Sequence, residues 1–266
     1  HFLFLVAPMQ GGLVESDLFI SSLQNPRIKA AIHLRDRSAR DETGQFLIEG
    51  YRELYRAVQA GRKVDTLFYC PSLFLGTNEN DLIEKIRKQK ALILPCSEQV
   101  FRKLSYRDRP DGLVAISTQV HLPLSEFPLS QNPFLVIAEA IEKPGNLGTI
   151  LRSSDAVGAD GLIVCDKCTD IHNPNVVRAS VGTLFTIPVA EASSEETLPW
   201  LKKKGILIVA ATPHATKEFT KVDLSGPVAI ALGTEQLGLS EKWMQQADVQ
   251  VKIPMNGVAD SLNVAM

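Results

Sequence analysis

Three short stretches in the C-terminal half of this 266-residue chain place polar and glycine residues directly after apolar runs. The first is Glu139-x6-Asn146-x-Gly148-x3-Arg152. The second runs from Gly233 through Thr234, Glu235 and Gly238 to Ser240. The third runs from Ile253 through Met255, Asn256, Ser261, Leu262 and Asn263 to Val264. An asparagine near a helix start and an arginine nearly two turns further on can both face the strand ends of a sheet. There a guanidinium stabilises negative charge developing on an oxygen, while Asn, Ser and Glu orient groups by hydrogen bonds. Two glycines around Glu235 let backbone approach a ligand closely, and a glutamate between them is poorly placed for a merely solvated charge. Each stretch also has a plainer use: a tight turn at Gly148, a cap at Asn146, at Ser240, and at Asp260 or Ser261 before a further helix. None matches G-x-G-x-x-G, and no acidic residue follows in a dinucleotide-binding context.

Such residues need a sheet to hold them, and the apolar pattern supplies one. In the second half, strands are predicted at Phe134–Ala138, Gly161–Cys165, Ile187–Val189, Ile206–Ala211, Val228–Leu232 and Val249–Ile253. A glycine-rich turn at 144–148 leads into a helix to about Val157. Further helices are predicted over Asn175–Phe185 and Glu195–Lys204, the last stopped by Gly205. Alternation of strands and helices implies an α/β sheet, whose ligand sites lie beyond the carboxyl ends of the strands. The first half repeats the alternation on a smaller scale. Asn25-Pro26 opens a helix, and 41–44 reads as a turn. Strands are expected at Phe46–Ile48, Thr66–Cys70, Ala91–Leu94 and Gly112–Ile116, with helices Tyr51–Ala60, Asp81–Gln89 and Glu98–Leu104 between them. Residues 119–133 contain three prolines and no period, a linker signature. The domain expectation is therefore a leader over 1–20, a smaller α/β domain over 21–118, a linker over 119–133 and a larger α/β domain over 134–266.

Composition narrows the function classes. The chain is 45% hydrophobic and 22% charged with a net charge of −2, values of an ordinary globular protein. Its greasiest run, Phe2–Ala7, is far shorter than the roughly 20 residues a bilayer span needs, which favours the cytoplasm. Before residue 131 there are seventeen Lys and Arg against fifteen Asp and Glu, a mild excess. The basic residues cluster, however: Arg27, Lys29, Arg35, Arg37 and Arg40 in one group, and Arg102, Lys103, Arg107 and Arg109 in another. Those clusters are either solvated faces or phosphate contacts. Cys70 and Cys96 end apolar runs and read as small core residues. Cys165-x-x-Cys168 has no second Cys or His pair at zinc spacing, and no metal is expected there.

Taken together, the three stretches resemble the SpoU/TrmH-type ribose 2′-O-methyltransferases of the SPOUT superfamily over about residues 134–266. The similarity rests on N-x-G-x3-R at Asn146, Gly148 and Arg152, G-x-E-x2-G-L-S from Gly233, I-P-M-x-G-x3-S-L-N-V from Ile253, and Asn173–Gly182 between them. The first half resembles the ribosomal-protein-like RNA-binding domain that many members carry in front, on Phe46-Leu47-Ile48-Glu49-Gly50 and with less specificity. The resemblance implies a parallel sheet closed by a deep trefoil knot, a homodimer, and methyl transfer from S-adenosylmethionine to an RNA ribose 2′-hydroxyl without a metal. It implies a cofactor pocket at Thr212, Gly233, Gly238, Ile253, Met255, Ser261 and Leu262, and catalytic roles for Arg152, Asn146, Glu235, Ser261 and Asn263. Asn146 and Arg152 would come from the neighbouring subunit, and Glu235 would position Arg152 or Asn263. RNA contacts would fall on Arg27, Arg35, Arg37 and Arg178. The front domain favours 23S ribosomal RNA, with transfer RNA, or an inactive RNA-binding protein of the same fold, as alternatives. Family members extend the last helix beyond the position of Met266.

Overall fold

A computed structural model describes residues 19–266. Most of the segment expected to be a leader lies outside the described residues. Its end does not behave as a leader: Ile20 is buried and bridges Cys96, donating to the Pro95 carbonyl at 2.8 Å.

Helix α1 (Pro26–His33) starts as the sequence requires, with Asn25 accepting from the Arg27 amide at 2.9 Å and proline at the first turn. Helix α2 (Arg37–Thr43) occupies part of a stretch read as a turn; Gly44, at φ +65°, supplies the left-handed residue that ends it. Then come β1 (Gln45–Glu49), α3 (Tyr51–Gln59), β2 (Val64–Tyr69), α4 (Glu79–Lys88), β3 (Leu92–Pro95), α5 (Glu98–Leu104) and β4 (Leu113–Thr118). The strands form a four-stranded sheet in the order β1-β4-β2-β3, antiparallel except for the β2–β3 pair. Cys70 and Cys96 are both buried in its core, as their positions suggested.

Residues 119–133, expected as a linker, pack on the second unit. Leu122 bridges Ala190, and the buried ring of Phe127 lies edge-on to Trp200 at 6.0 Å. A Cβ on Gly161 would stand 2.4 Å from the Phe127 ring, so a glycine is required under it.

The second sheet has seven strands, all parallel, in the order β7-β6-β5-β10-β8-β11-β9. They are β5 (Phe134–Glu139), β6 (Gly161–Cys165), β7 (Val189–Ala192), β8 (Leu207–Ala211), β9 (Lys217–Glu218), β10 (Val228–Leu232) and β11 (Val249–Lys252). The α/β expectation holds, with the strand predicted at 187–189 lying two residues later and β9 unforeseen. Helices α6 (Pro144–Ala156), α7 (Pro174–Ala179), α8 (Ser194–Lys203) and α9 (Glu241–Gln246) connect them. The threading is unusual. Ala211 and Lys217 flank Val251 on opposite sides, so residues 212–216 carry the chain across β11. The last strand thus sits between two strands already joined by residues 212–216.

Three predicted elements change on inspection. The 144–148 glycine-rich turn is itself the first turn of α6: Pro144 fits a helix start, and Gly145 and Gly148 are tolerated there. The helix expected over 175–185 breaks after Ala179. Val181 and Gly182 adopt φ +54° and +84°, and a short 3₁₀ turn follows at Thr183–Phe185. A Cβ on Gly182 would come within 3.0 Å of Glu53 Cα, so this break is where the chain meets the first sheet's layer. No helix forms between Ile253 and Met266; those residues make turns, with Asn263 accepting from the Ala265 and Met266 amides.

The two units share one core. Phe46 of β1 contacts His172 and Phe185 at ring separations of 4.6 and 6.2 Å, and the hydrophobic cluster runs on through Leu147 and Val176. Arg40, fully buried, crosses the seam to Asp170 at 2.8 Å and also donates to the Leu34 and Arg35 carbonyls.

Candidate active site

Strands β10, β8 and β11 are neighbours and parallel, so the loops leaving their carboxyl ends must converge on one rim. Those loops begin at Thr212, Gly233 and Ile253; the last two open stretches singled out by sequence, and Thr212 was expected only from the family resemblance. Thr212 continues the ladder by donating to the Val251 carbonyl at 2.9 Å. The second loop closes on itself: Thr234 and Gly238 exchange amide–carbonyl bonds at 3.0 and 2.9 Å, and the Leu237 amide donates to Thr234 Oγ1. A Cβ on Gly233 would lie 2.1 Å from the Gly238 carbonyl carbon. Gly233 is therefore required by the loop's own closure, and Gly238 by its φ of +68°. The third loop exposes Ile253, Ser261, Leu262 and Asn263 and half-buries Met255.

The loop from β10 is fastened to the sheet by Glu139, which sequence reasoning placed in the first cluster without a role. Its carboxylate is buried at the end of β5 and accepts from the Ser240 amide at 2.8 Å. Ser240 flanks α9 as expected, but its side chain makes no capping bond. A charged residue closing an otherwise apolar strand is the signal that could have revealed this anchor.

Helix α6 presents its first turn to the same rim. Ile141, Lys143 and Asn146 face Thr234, Glu235, Gln236 and Val264 across a pocket of about 100 Å3. Glu235 forms an ion pair with Lys143 at its mouth. The glutamate expected to position Arg152 or Asn263 is thus held by a lysine of its own chain that sequence reasoning passed over. The pocket brings together Asn146 and Glu235. Arg152 does not line it: six residues further along α6, about 9 Å by helical rise, its exposed side chain makes no hydrogen bond or ion pair among the described residues. Gly148 serves packing. A Cβ there would lie 2.5 Å from Ala179 Cβ and 2.7 Å from the Val176 carbonyl, so the glycine lets α6 and α7 cross closely.

The basic residues separate by partner. Arg35 donates to the carbonyls of Lys103, Leu104 and Ser105 at 2.9–3.0 Å, closing the C-terminus of α5. Arg37 pairs with Asp41 and reaches the Cys168 carbonyl at 3.3 Å. Arg27 and Arg178 are exposed, and Arg178 stands 5.9 Å over the Tyr106 ring. Cys165 is buried, with its thiol pushed up to about 12 chiefly by burial, whereas Cys168 is exposed.

Residues 133–266 match the SpoU rRNA Methylase family, and residues 25–115 match an MRM3-like substrate binding domain. A 23S rRNA (uridine(2479)-2′-O)-methyltransferase of Streptomyces viridochromogenes is 31% identical over 87% of this chain and 82% of its own. The structure of an AdoMet-bound rRNA methyltransferase from Sinorhizobium meliloti superposes with a TM-score of 0.85 at 33% identity, covering 93% of this chain and 92% of that one. That of the SpoU methyltransferase AviRb from S. viridochromogenes with the cofactor AdoMet gives 0.82 at 30% identity, covering 91% and 93%. A family match over half of the chain, together with a relative 31% identical over most of both chains, shows that the chain belongs to the SpoU rRNA methylase family.

Proposed function

We propose that this protein transfers a methyl group from S-adenosylmethionine to the 2′-hydroxyl of a ribose in 23S ribosomal RNA, acting as a cytoplasmic homodimer. The reading is carried by the convergence of the Thr212, Gly233–Gly238 and Ile253–Asn263 loops on one rim. The rim's composition fits the donor. It leaves Leu237, Ile253 and Leu262 exposed as apolar cover for a purine, and the Gly238 and Met255 segments offer backbone groups beside them. When bound, the sulfonium supplies an electrophilic methyl group. The chain's own residues must orient the ribose and manage charge on its oxygen. Asn146, Ser261 and Asn263 are suited to holding the ribose and the third loop by hydrogen bonds. Arg152, whose guanidinium donates hydrogen bonds and makes a poor base, stabilises negative charge developing on the 2′-oxygen. It does not line its own chain's pocket, and on this reading it acts in the site of the partner subunit. Residues 21–118 serve as the RNA substrate-binding domain and 134–266 as the methyltransferase domain. Arg27 and Arg178 are the exposed phosphate contacts, while Arg35 and Arg37 act mainly within the fold.

The test is incubation of the purified chain with labelled S-adenosylmethionine and separated ribosomal and transfer RNAs, followed by mapping of alkali-resistant linkages. Label is expected in 23S RNA at a 2′-O position. Label confined to transfer RNA would favour the alternative target. No transfer, with the cofactor bound, would indicate an RNA-binding protein only.

A further inference from the structure

The two units leave a groove of about 800 Å3 on the far side of their seam, walled by α3, the start of α4, residues 107–111 and α7. Its rim carries exposed Arg52, Arg109 and Arg178; its floor carries Glu53, Glu79 and Asp111, each more than nine-tenths buried. Glu53 is answered by Arg107 at 2.6 Å. The other two are answered on one oxygen only. Glu79 Oε1 accepts from the Leu75 and Gly76 amides at 3.2 and 2.8 Å, and Asp111 Oδ2 accepts from the Tyr51 amide at 2.7 Å. Glu79 Oε2 and Asp111 Oδ1 are buried without a hydrogen-bond partner among the described residues. A buried acceptor left unpaired is costly until a donor reaches it. Beside these oxygens stand the Tyr51 ring and Leu75, one of the most exposed apolar side chains.

We propose that this groove seats one unpaired nucleotide of the RNA substrate, distinct from the methylated one, and reads its base through Glu79 and Asp111. This rests on the methyltransferase reading above. Carboxylate oxygens only accept. They match bases that present an exocyclic amino group, namely adenine, cytosine and guanine. Uracil offers a single N–H between two carbonyl oxygens, which a carboxylate repels. Tyr51 and Leu75 supply the apolar face against which a splayed-out base packs. The rim arginines meet the phosphates on either side, which position without specifying. An unpaired nucleotide is required, because a paired base has its Watson–Crick edge engaged and the deep, narrow major groove of A-form RNA keeps side chains from the amino groups of A and C.

Fluorescence anisotropy of the full chain with labelled hexaribonucleotides A6, C6 and U6 tests this. A6 and C6 are expected to bind about fivefold or more tighter than U6. Glu79→Gln keeps an acceptor for the Leu75 and Gly76 amides but puts a donor where Oε2 stood, so the preference should vanish or invert. Asp111→Asn repeats the test from the other oxygen should the first variant not fold. Arg109→Ala should weaken all three RNAs by a similar factor and reduce the salt dependence. Equal binding of U6, A6 and C6 by the unaltered protein, or a preference that survives both carboxamide variants, overturns the proposal. Calorimetry with S-adenosylmethionine on the same preparation separates the two readings. Cofactor binding without base preference removes the groove's role alone; base preference without cofactor binding removes the methyltransferase reading and leaves the groove.

Discussion

The seam between the two units and the rim of the C-terminal loops use similar residue types to opposite ends. In the part of the seam around β1 and α7, away from the groove, charged side chains find partners inside the chain. Arg40 meets Asp170 and two carbonyls, Arg56 donates to the Val181 carbonyl at 2.6 Å, and Phe46 packs on His172 and Phe185. At the rim, Leu237, Ile253, Val258 and Leu262 stand exposed, and further along α6 the exposed Arg152 has no partner among the described residues. A surface that keeps apolar side chains and a guanidinium uncommitted is built for something outside the chain. The seam is finished by folding; the rim is finished by binding.

The largest effect expected from this contrast is at the seam. Asp170→Ala leaves the Arg40 guanidinium buried with only carbonyl partners, and removing one member of a buried pair typically costs about 3–5 kcal/mol. Urea denaturation should show that loss. A change below about 1 kcal/mol would mean that the seam tolerates an uncompensated charge and is no more finished than the rim. The rim's counterpart is Arg152→Ala. Because its side chain is exposed, stability should stay within about 0.5 kcal/mol, while methyl transfer falls roughly 10²–10³-fold, as for loss of a group that stabilises developing oxyanion charge. Turnover near the unaltered rate would remove Arg152 from the chemistry. Mixing Arg152→Ala chains with chains altered at Glu235 sharpens this further: recovered activity places the arginine in the partner's site.

The same contrast explains what could be read from the sequence. The strands after which the three loops leave were legible, because continuous apolar runs such as Val228–Leu232 have few other uses. The convergence of their loops was expected only from the family resemblance, because the strand order that produces it was not read from the sequence. What escaped depended on contacts distant in sequence. The break at Val181–Gly182 lies where the chain packs closely on Glu53 and Arg56, more than a hundred residues away, and local spacing continues helically through it. Gly148 looked like a turn residue but is a helix-crossing residue, a distinction set by Ala179. Arg35 looked like an RNA contact because nothing near it in sequence discloses the three α5 carbonyls it binds. A proline-rich segment read as a linker packs Phe127 into the core, since proline excludes regular structure without excluding burial. The helix expected after Asp260 has cap chemistry but does not form among residues 253–266, where neighbouring apolar partners are few.

An acid titration tests the seam by a gentler route. His172 is buried against Phe46 and the His121 ring, and its pKa is lowered to about 3, chiefly by burial and then by His121. In the unfolded chain it titrates near 6.5. The folded state therefore binds fewer protons between those values, and stability present above pH 6.5 is lost as the pH falls toward 3. From this group alone the protein should be about 2 kcal/mol less stable at pH 5 than at pH 7. His172→Phe, which keeps the ring packing, should flatten that part of the pH profile of thermal unfolding. An unchanged slope would assign the acid sensitivity to the seam's carboxylates instead.

The smallest expected effect lies at the rim, and it bounds the comparison from below. Lys143 and Glu235 form an ion pair across the mouth of the pocket, but the lysine side chain is 71% exposed. Water and salt screen such a pair, and exposed pairs contribute about 0–1 kcal/mol. Lys143→Ala should therefore leave the urea midpoint nearly unchanged, with any difference vanishing at high salt. Asp170→Ala should retain its penalty at the same salt, because its partner is buried. If Lys143→Ala instead destabilised the chain as much as Asp170→Ala did, the pocket's mouth would be part of the folded core. The loops around it would then be finished by folding too, and the exposed apolar side chains beside them would need another explanation than a ligand.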